Sequence, residues 1–544
     1  MQAMTVQPAA VLRRIGANLA RGARRLTARF VLPRRGGVWL MLRLGAPIDE
    51  LAAPTLPFGE RPLLGLLDIL AVLEAAGRDA RVAGVVLRFE GPVGGPSRAL
   101  SLRRAVDRVR AAGKPVVVWS ESFDAESLVA ASGGTRLYLP ESGNVFLVGL
   151  RLESLHWKRL LDRLGVQPEI VRVGRHKSAA ERFTRDRLSP EDREQLEELA
   201  DDLYESLIGA VAEGRGLGPA ALRDLVDTGP HTAAAAVGAG LADGCRYPDE
   251  VESEFSELAP STALDSNGRP RVVDAATYCA LCVGDPGWRP LGRDLPRVAY
   301  VVARGGIHRG AGTRGIAVDR LRVLLERLRA DERVCGVLLR IDSPGGDAVA
   351  SDLLWRAVTL VAREKPVVVS MGDVVASGGY YVAAAADAVF AERATVTGSI
   401  GVVGGRANLE GLYEKIGLTR DGVERGARAG LLSHTHATRP DERAALRELF
   451  ESVHATFSDR VARGRGLDPE RVAELATGRV WSGGRAVGLG LVDTLGGPLE
   501  ALGELRRRAG LAEGERYILD LHPRIAPLPG LFGFLRRATG RAAW

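Results

Sequence analysis

At 544 residues the chain is too long for one ordinary hydrophobic core, and 46% hydrophobic with 26% charged residues excludes long-range disorder. A prior of roughly 150 residues per domain gives two to four domains. The net charge of +7 does not mark a nucleic-acid-binding groove: Arg13, Arg14, Arg21, Arg24, Arg25, Arg29, Arg34, Arg35 and Arg43 all precede the first acidic residue, Asp49, and the rest is nearly neutral.

In that opening segment Leu12, Ile15, Leu19, Ala23, Leu26 and Phe30 recur at spacings of three and four, which predicts a helix with arginines opposite an apolar face. Two readings stand side by side: a helix lying on an anionic membrane surface, or an arm that frays or docks on the core. No uncharged apolar run approaches the ~18 residues that span a bilayer, and no uninterrupted apolar stretch marks a secretory signal. A second short apolar-basic segment, Leu528 to Arg537, lies in the tail. The expected location is therefore peripheral to a membrane, with the cytoplasm as alternative.

From residue 37 onward the chain reads as strand and helix in alternation. Gly37 to Leu44 is an opening strand; Arg81 to Arg88 and Lys114-Pro-Val-Val-Val118 are further strands, dense in β-branched residues. Gly174-Arg-His-Lys-Ser178 is a loop before a helical pattern at Leu196 to Ala212, and Gly214-Arg-Gly-Leu217 ends it. The same plan then returns about 252 positions later. Arg297 to Ala303 opens it, Leu321 to Leu328 is helical, Arg333 to Arg340 and Lys365-Pro-Val-Val-Val369 are strands, and Gly464-Arg-Gly-Leu467 closes it. Alternation of this kind predicts an α/β protein of two tandem repeats, each a mainly parallel sheet flanked by helices. The expected divisions are a basic arm (1–36), a first repeat (37–283), a Gly/Pro/Asp-rich linker (284–296), a second repeat (297–515) and a tail (516–544).

Each repeat keeps a reactive residue that the other has lost. Ser377, in Val375-Ala-Ser-Gly-Gly379, stands between a strand-like run and an Ala-rich helical run, and its counterpart is Ala125, or Glu126 with a slip of one. Lys177 faces Ala429 when Gly174 is matched to Gly426. A serine hydroxyl needs a base to take its proton, and a lysine serves if burial lowers its pKa. The following amide, at Gly378, can face an oxyanion at the helix start. A second donor is expected in Asp342-Ser-Pro-Gly-Gly-Asp347, where the glycines at 345 and 346 allow a tight turn that exposes an amide. The split inheritance predicts one Ser–Lys hydrolase site assembled from both repeats.

Asp-Ser-Pro-Gly-Gly, Ala-Ser-Gly-Gly-Tyr-Tyr, Thr397-Gly-Ser-Ile-Gly401 and Gly-Arg-His-Lys-Ser-Ala together resemble the long, duplicated form of the signal peptide peptidase A (protease IV) family, serine peptidases with a ClpP/crotonase-like fold. The resemblance covers roughly residues 37–515. It implies Ser377 as nucleophile, Lys177 as general base, Ser399 orienting the lysine amine, and an oxyanion hole from Gly378 with either Gly345 or Gly346. It further implies a homotetramer with an apolar-lined cavity, no cofactor or metal, and peptide substrates such as released signal peptides and unfolded apolar segments. Two departures are visible: Asp342 stands where many relatives carry Asn, and no spanning N-terminal anchor is read.

Other features read as structural. Ser132 in Ala131-Ser-Gly-Gly134 is placed by register near a helix end. Cys279 and Cys282 have redox spacing without a second ligand pair, four cysteines make no disulfide framework, and His434 and His436 lack a third ligand. Tyr380 and Tyr381 read as core. Neither serine sits in Gly-x-Ser-x-Gly, so an α/β-hydrolase elbow is not supported. The competing readings are a crotonase-type acyl-CoA enzyme, which leaves Lys177 unexplained, and an inactive membrane-surface scaffold.

Overall fold

A computed structural model describes residues 15–16, 18–19, 22–23, 26–28, 31–33, 36–45, 47–52, 64–283 and 294–522. Most of the 284–296 linker, the tail segment around 528–537, and Leu12 and Phe30 of the arm lie outside them.

The first repeat builds a six-stranded sheet in the order Val272–Asp274, Val38–Leu44, Val82–Phe89, Val116–Ser120, Arg136–Leu139, Gly244–Cys245, every pairing parallel. The second builds the matching sheet from Ile518–His522, Arg297–Arg304, Val334–Ser343, Val367–Ala376, Val396–Gly398 and Val480–Ser482, with Ala388–Ala391 also beside Val367–Ala376. Only the Val396–Gly398 to Val480–Ser482 pairing in that sheet is antiparallel. The second repeat's sheet thus runs past residue 515: Ile518–His522, read from the sequence as tail, adds a parallel edge strand. Central strands are buried on both faces, as parallel sheets between helices demand; Val334–Ser343 is buried at eight of its ten positions.

Helices repeat as faithfully as strands. Pro190–Arg215 and Pro440–Arg465 each begin with proline at the first helical position and end at a left-handed glycine, Gly216 and Gly466. Each repeat has its own core, and a third cluster formed by Tyr300, Leu338, Val368, Phe390 and Leu502 also takes in Leu67 of the first repeat.

One pairing crosses between the repeats and sets the site. Gln167–Val173 lies antiparallel to Val402–Asn408, with Val173 opposite Val402. The loop leaving Val173 carries Lys177, and the loop entering Val402 carries Ser399, so this register brings residues more than 200 positions apart to one point.

In the arm, Leu32 is buried in the first core while Ile15, Leu19 and Leu26 are exposed. Among the described residues no helix is long and apolar enough to cross a membrane.

Candidate active site

Ser377 is the single residue between strand Val367–Ala376 and helix Gly378–Ala383, and it holds φ 53°, ψ −120°. A non-glycine residue with positive φ costs about 1–3 kcal/mol and persists only where its surroundings enforce it. They do: its N–H donates to the Gly398 carbonyl at 2.8 Å, and its carbonyl accepts from Tyr381 N–H at 2.9 Å. Buried Tyr380 and Tyr381 anchor the helix through hydroxyl bonds to the Leu491 carbonyl at 2.9 Å and Asp352 at 2.8 Å. Ser377 as a residue is half-buried.

Lys177 Nζ lies 2.9 Å from Ser377 Oγ, 2.9 Å from Ser399 Oγ and 2.7 Å from the Ser399 carbonyl oxygen. The lysine is 4% exposed, and burial lowers its pKa from 10.5 to about 7. Ser399 also has positive φ, 54°, and its N–H donates to the Arg479 carbonyl at 2.7 Å. All three side chains named in the sequence therefore meet, one from the first repeat and two from the second.

The glycines converge on the same point with unequal geometry. Gly345 is buried and its N–H donates to Ser343 Oγ at 3.1 Å, whereas Gly346 is exposed. A Cβ on Gly378 would stand 3.3 Å from the Gly346 nitrogen and 2.3 Å from Ser351 Oγ. A Cβ on Gly345 would meet the Gly378 nitrogen at 2.6 Å, so only glycine lets the turn close over the serine. Gly345, Gly346 and Gly378 thus pack against one another beside Ser377.

Support for Lys177 comes from residues the sequence did not single out. His176 N–H donates to the Thr477 carbonyl at 2.8 Å, and a Cβ on Gly478 would stand 2.7 Å from Lys177 Cβ. Gln195 Nε2 donates to the His176 carbonyl at 3.2 Å and Ser178 Oγ at 2.9 Å, while its Oε1 accepts from Val480 N–H at 3.3 Å. Asp342 bonds the strand that leads to Ser377: Oδ1 accepts from Val374 N–H at 3.2 Å, and Oδ2 lies 3.3 Å from Arg98 Nη2.

The remaining candidates sit apart. Ser132 ends helix Ala125–Ser132, its hydroxyl bonded to the Val129 carbonyl at 2.8 Å and to Arg103 at 2.8 Å. Cys279 is buried, and none of the four cysteines is in a disulfide. His434 and His436 lie in a loop, and among the described residues no group of three or more His, Cys, Asp or Glu side chains is placed to hold a metal.

Two α/β repeats that bring a strand-to-helix serine within hydrogen-bonding distance of a buried lysine have the arrangement of a serine-type hydrolase. The profile of Peptidase family S49 matches this chain twice, at residues 108–261 and 359–512, once in each repeat. "Serine protease SPPA, chloroplastic" from Arabidopsis thaliana is 32% identical over 82% of this chain and 66% of its own length. "Protease 4" from Salmonella typhi is 31% identical over 84% of this chain and 74% of its own. Among solved structures, a point mutant of ClpP1 from Listeria monocytogenes covers 37% of this chain and 94% of its own at 14% identity, with a TM-score of 0.26. The chain belongs to peptidase family S49, a family of serine-type peptidases.

Proposed function

We propose that this chain is an endopeptidase that cleaves apolar, unfolded peptides, released signal peptides among them, by a Ser377–Lys177 dyad and an acyl-enzyme. The observation that carries the reading is the buried Lys177 amine 2.9 Å from Ser377 Oγ with its pKa lowered to about 7. A neutral amine has two N–H groups and one lone pair. With the N–H groups on the carbonyl and hydroxyl of Ser399, the lone pair is left for the Ser377 proton.

Ser377 Oγ attacks the scissile carbonyl carbon as its proton passes to Lys177 Nζ. The negative oxygen that forms is held by the amides of Gly346 and Gly378. Each donor of this kind is worth about 2.7–4 kcal/mol in the transition state. The Lys177 ammonium then protonates the leaving amine, the C–N bond breaks, and the acyl group stays on Ser377. Lys177, neutral again, takes a proton from water, whose attack releases the acid and restores the serine.

The apolar substrate class and a homotetramer are supported by exposed apolar side chains. Val148, Leu155, Leu160, Val423 and Leu432 are large apolar side chains left exposed on the segments that flank the strand pair joining the repeats. Sedimentation equilibrium is expected to give four chains; a monomer at micromolar concentration counts against the assembly. The arm's exposed Ile15, Leu19 and Leu26 support surface attachment to anionic lipid, which the 1–36 deletion tests by vesicle co-sedimentation.

The dyad itself is tested by Ser377→Ala and Lys177→Ala with a casein-type substrate. Each is expected to lower kcat/KM by roughly 10³-fold or more; wild-type turnover in either overturns the assignment. A fluorophosphonate should label Ser377 in the wild type, whereas the acyl-CoA reading requires no adduct there.

A further inference from the structure

The first repeat has lost its nucleophile but kept the backbone of the site. Ser122, Phe123 and Asp124 pair with Asn144, Val145 and Phe146 as Val374, Val375 and Ala376 pair with Val396, Thr397 and Gly398. That register sets Ala125 at the place of Ser377 and Glu126 at the place of Gly378. The double-glycine turn keeps its shape as well: φ is 92° and 150° at Gly94 and Gly95, against 99° and 157° at Gly345 and Gly346.

In the first repeat the space before that turn is filled. Glu126 Oε2 accepts from Gly95 N–H at 2.8 Å and from Gly94 N–H at 3.2 Å. A carboxylate oxygen receiving two backbone N–H groups has the charge and the donors of a tetrahedral oxyanion.

The turn so held is not idle. Gly95 caps helix Pro96–Ala111, whose first residues reach the second repeat behind its nucleophile. Ser97 N–H donates to Asp373 Oδ1 at 2.9 Å, Ser97 Oγ donates to the Gly372 carbonyl at 3.1 Å, and Arg98 bridges Asp373 and Asp342. Asp373 precedes Ser377 by four residues, and Asp342 opens the active Ser343-Pro-Gly345-Gly346 turn.

We infer that the first repeat retains a second oxyanion-type hole, sealed from within by the Glu126 carboxylate, and that Glu126 is a positioning residue that fixes the Gly94–Gly95 turn and, through Ser97 and Arg98, the strand carrying Ser377. Opened by truncation, the hole takes a small carboxylate. The catalytic part of this inference rests on the peptidase reading above; the binding part does not.

The test uses full-length Glu126→Ala, with formate as probe. Lost positioning lowers kcat about tenfold with KM nearly unchanged, because Ser97 and Arg98 brace the nucleophile's strand from behind. Millimolar formate restores kcat in the variant and leaves the wild type unchanged; formamide, of the same shape without the charge, restores nothing. Formate also raises the melting temperature of the variant alone, a readout independent of peptidase activity. Glu126→Gln, which keeps an acceptor oxygen and the volume, loses less kcat and covers the case in which the alanine variant does not fold. Wild-type kcat in Glu126→Ala overturns the positioning role, and a melting temperature indifferent to formate overturns the hole. Should Ser377→Ala retain activity, the dyad reading fails while the formate shift still reports on the hole.

Discussion

Set side by side, the two repeats share a backbone and divide a chemistry. The paired strands, the double-glycine turn and the helix after it correspond in register, yet Ser377 faces Ala125, Gly378 faces Glu126 and Lys177 faces Ala429. Leu147, by the same register, stands where Ser399 does. In the dyad proposed above, the first repeat would be a support that contributes one amine, and the second a site that lacks only that amine. A frame can be inherited whole while its reactive groups are lost one at a time, because the frame is held by buried strands and the groups stand at its ends.

The largest effect should come from trying to undo that division. Ala125→Ser in a Ser377→Ala background is expected to give no measurable peptidase activity, since no lysine serves that position and Glu126 fills the turn. Recovered turnover would show that the two frames are interchangeable after all. Lys177→Arg should be as inactive as Lys177→Ala, a loss of roughly 10³-fold, because a guanidinium stays charged and has no lone pair for the Ser377 proton.

How much of this is legible in the sequence divides along physical lines. The repeat is legible because parallel strands buried on both faces leave unbroken β-branched runs, and two such series in one order are hard to miss. Ser377 and Gly378 are legible from a serine between strand and helix, and Lys177 from a lysine without a counterpart. Gln195, Thr477 and Gly478 are not: Thr477 and Gly478 meet the Lys177 loop from about 300 positions away, and Gln195, though close to that loop in the chain, ties it to distant Val480, and such contacts have no local pattern. The Gly345 N–H bond to the Ser343 hydroxyl, which sets that amide apart from its neighbour at Gly346, depends on a side-chain direction that no spacing reveals. Ile518–His522 reads as tail because five residues beside a polar stretch carry too little periodicity to show an edge strand.

Lys177 separates stability from activity between the repeats. Its pKa is about 7 folded against 10.5 as an ordinary lysine, so the folded protein binds fewer protons between those values. Stability therefore rises with pH across that window, and the penalty is complete below pH 7. At ~1.4 kcal/mol per pH unit the burial costs the folded state about 5 kcal/mol at low pH. Lys177→Met, inactive, should gain a few kcal/mol of unfolding free energy at pH 6 and lose most of that advantage by pH 10. Denaturant titrations at the two pH values measure it; an equal gain at both would mean that packing, not charge, is the cause.

Ser399→Ala should cost about 10–100-fold in kcat, less than removal of either dyad member, because the alanine carbonyl still accepts one Lys177 N–H. The same amine sets the acid limb: kcat/KM of the wild type should fall about tenfold per pH unit below 7 as Lys177 becomes charged. A limb near pH 5 would instead implicate a carboxylate.

The smallest effect tests how the halves are held together. Arg479 and Arg485, both of the second repeat, pair with the first repeat's helix Pro190–Arg215, yet they are not equivalent. Arg485 is 43% exposed at its side chain where it meets Glu198 at 2.8 Å and Asp202 at 2.7 Å, so water and salt screen it. Arg479 is 10% exposed, meets Glu194 at 3.0 Å and Glu198 at 2.6 Å, and lies over the Trp481 ring. Its carbonyl, which fixes Ser399, survives truncation of the side chain. Arg485→Ala should therefore change stability by less than about 1 kcal/mol and leave kcat untouched, whereas Arg479→Ala, which removes a largely buried guanidinium between Glu194 and Glu198 and uncovers an indole, should lower the melting temperature visibly in the same buffer. If the two variants melt alike, the docking of the repeats depends on their buried apolar contact and not on this pair of arginines.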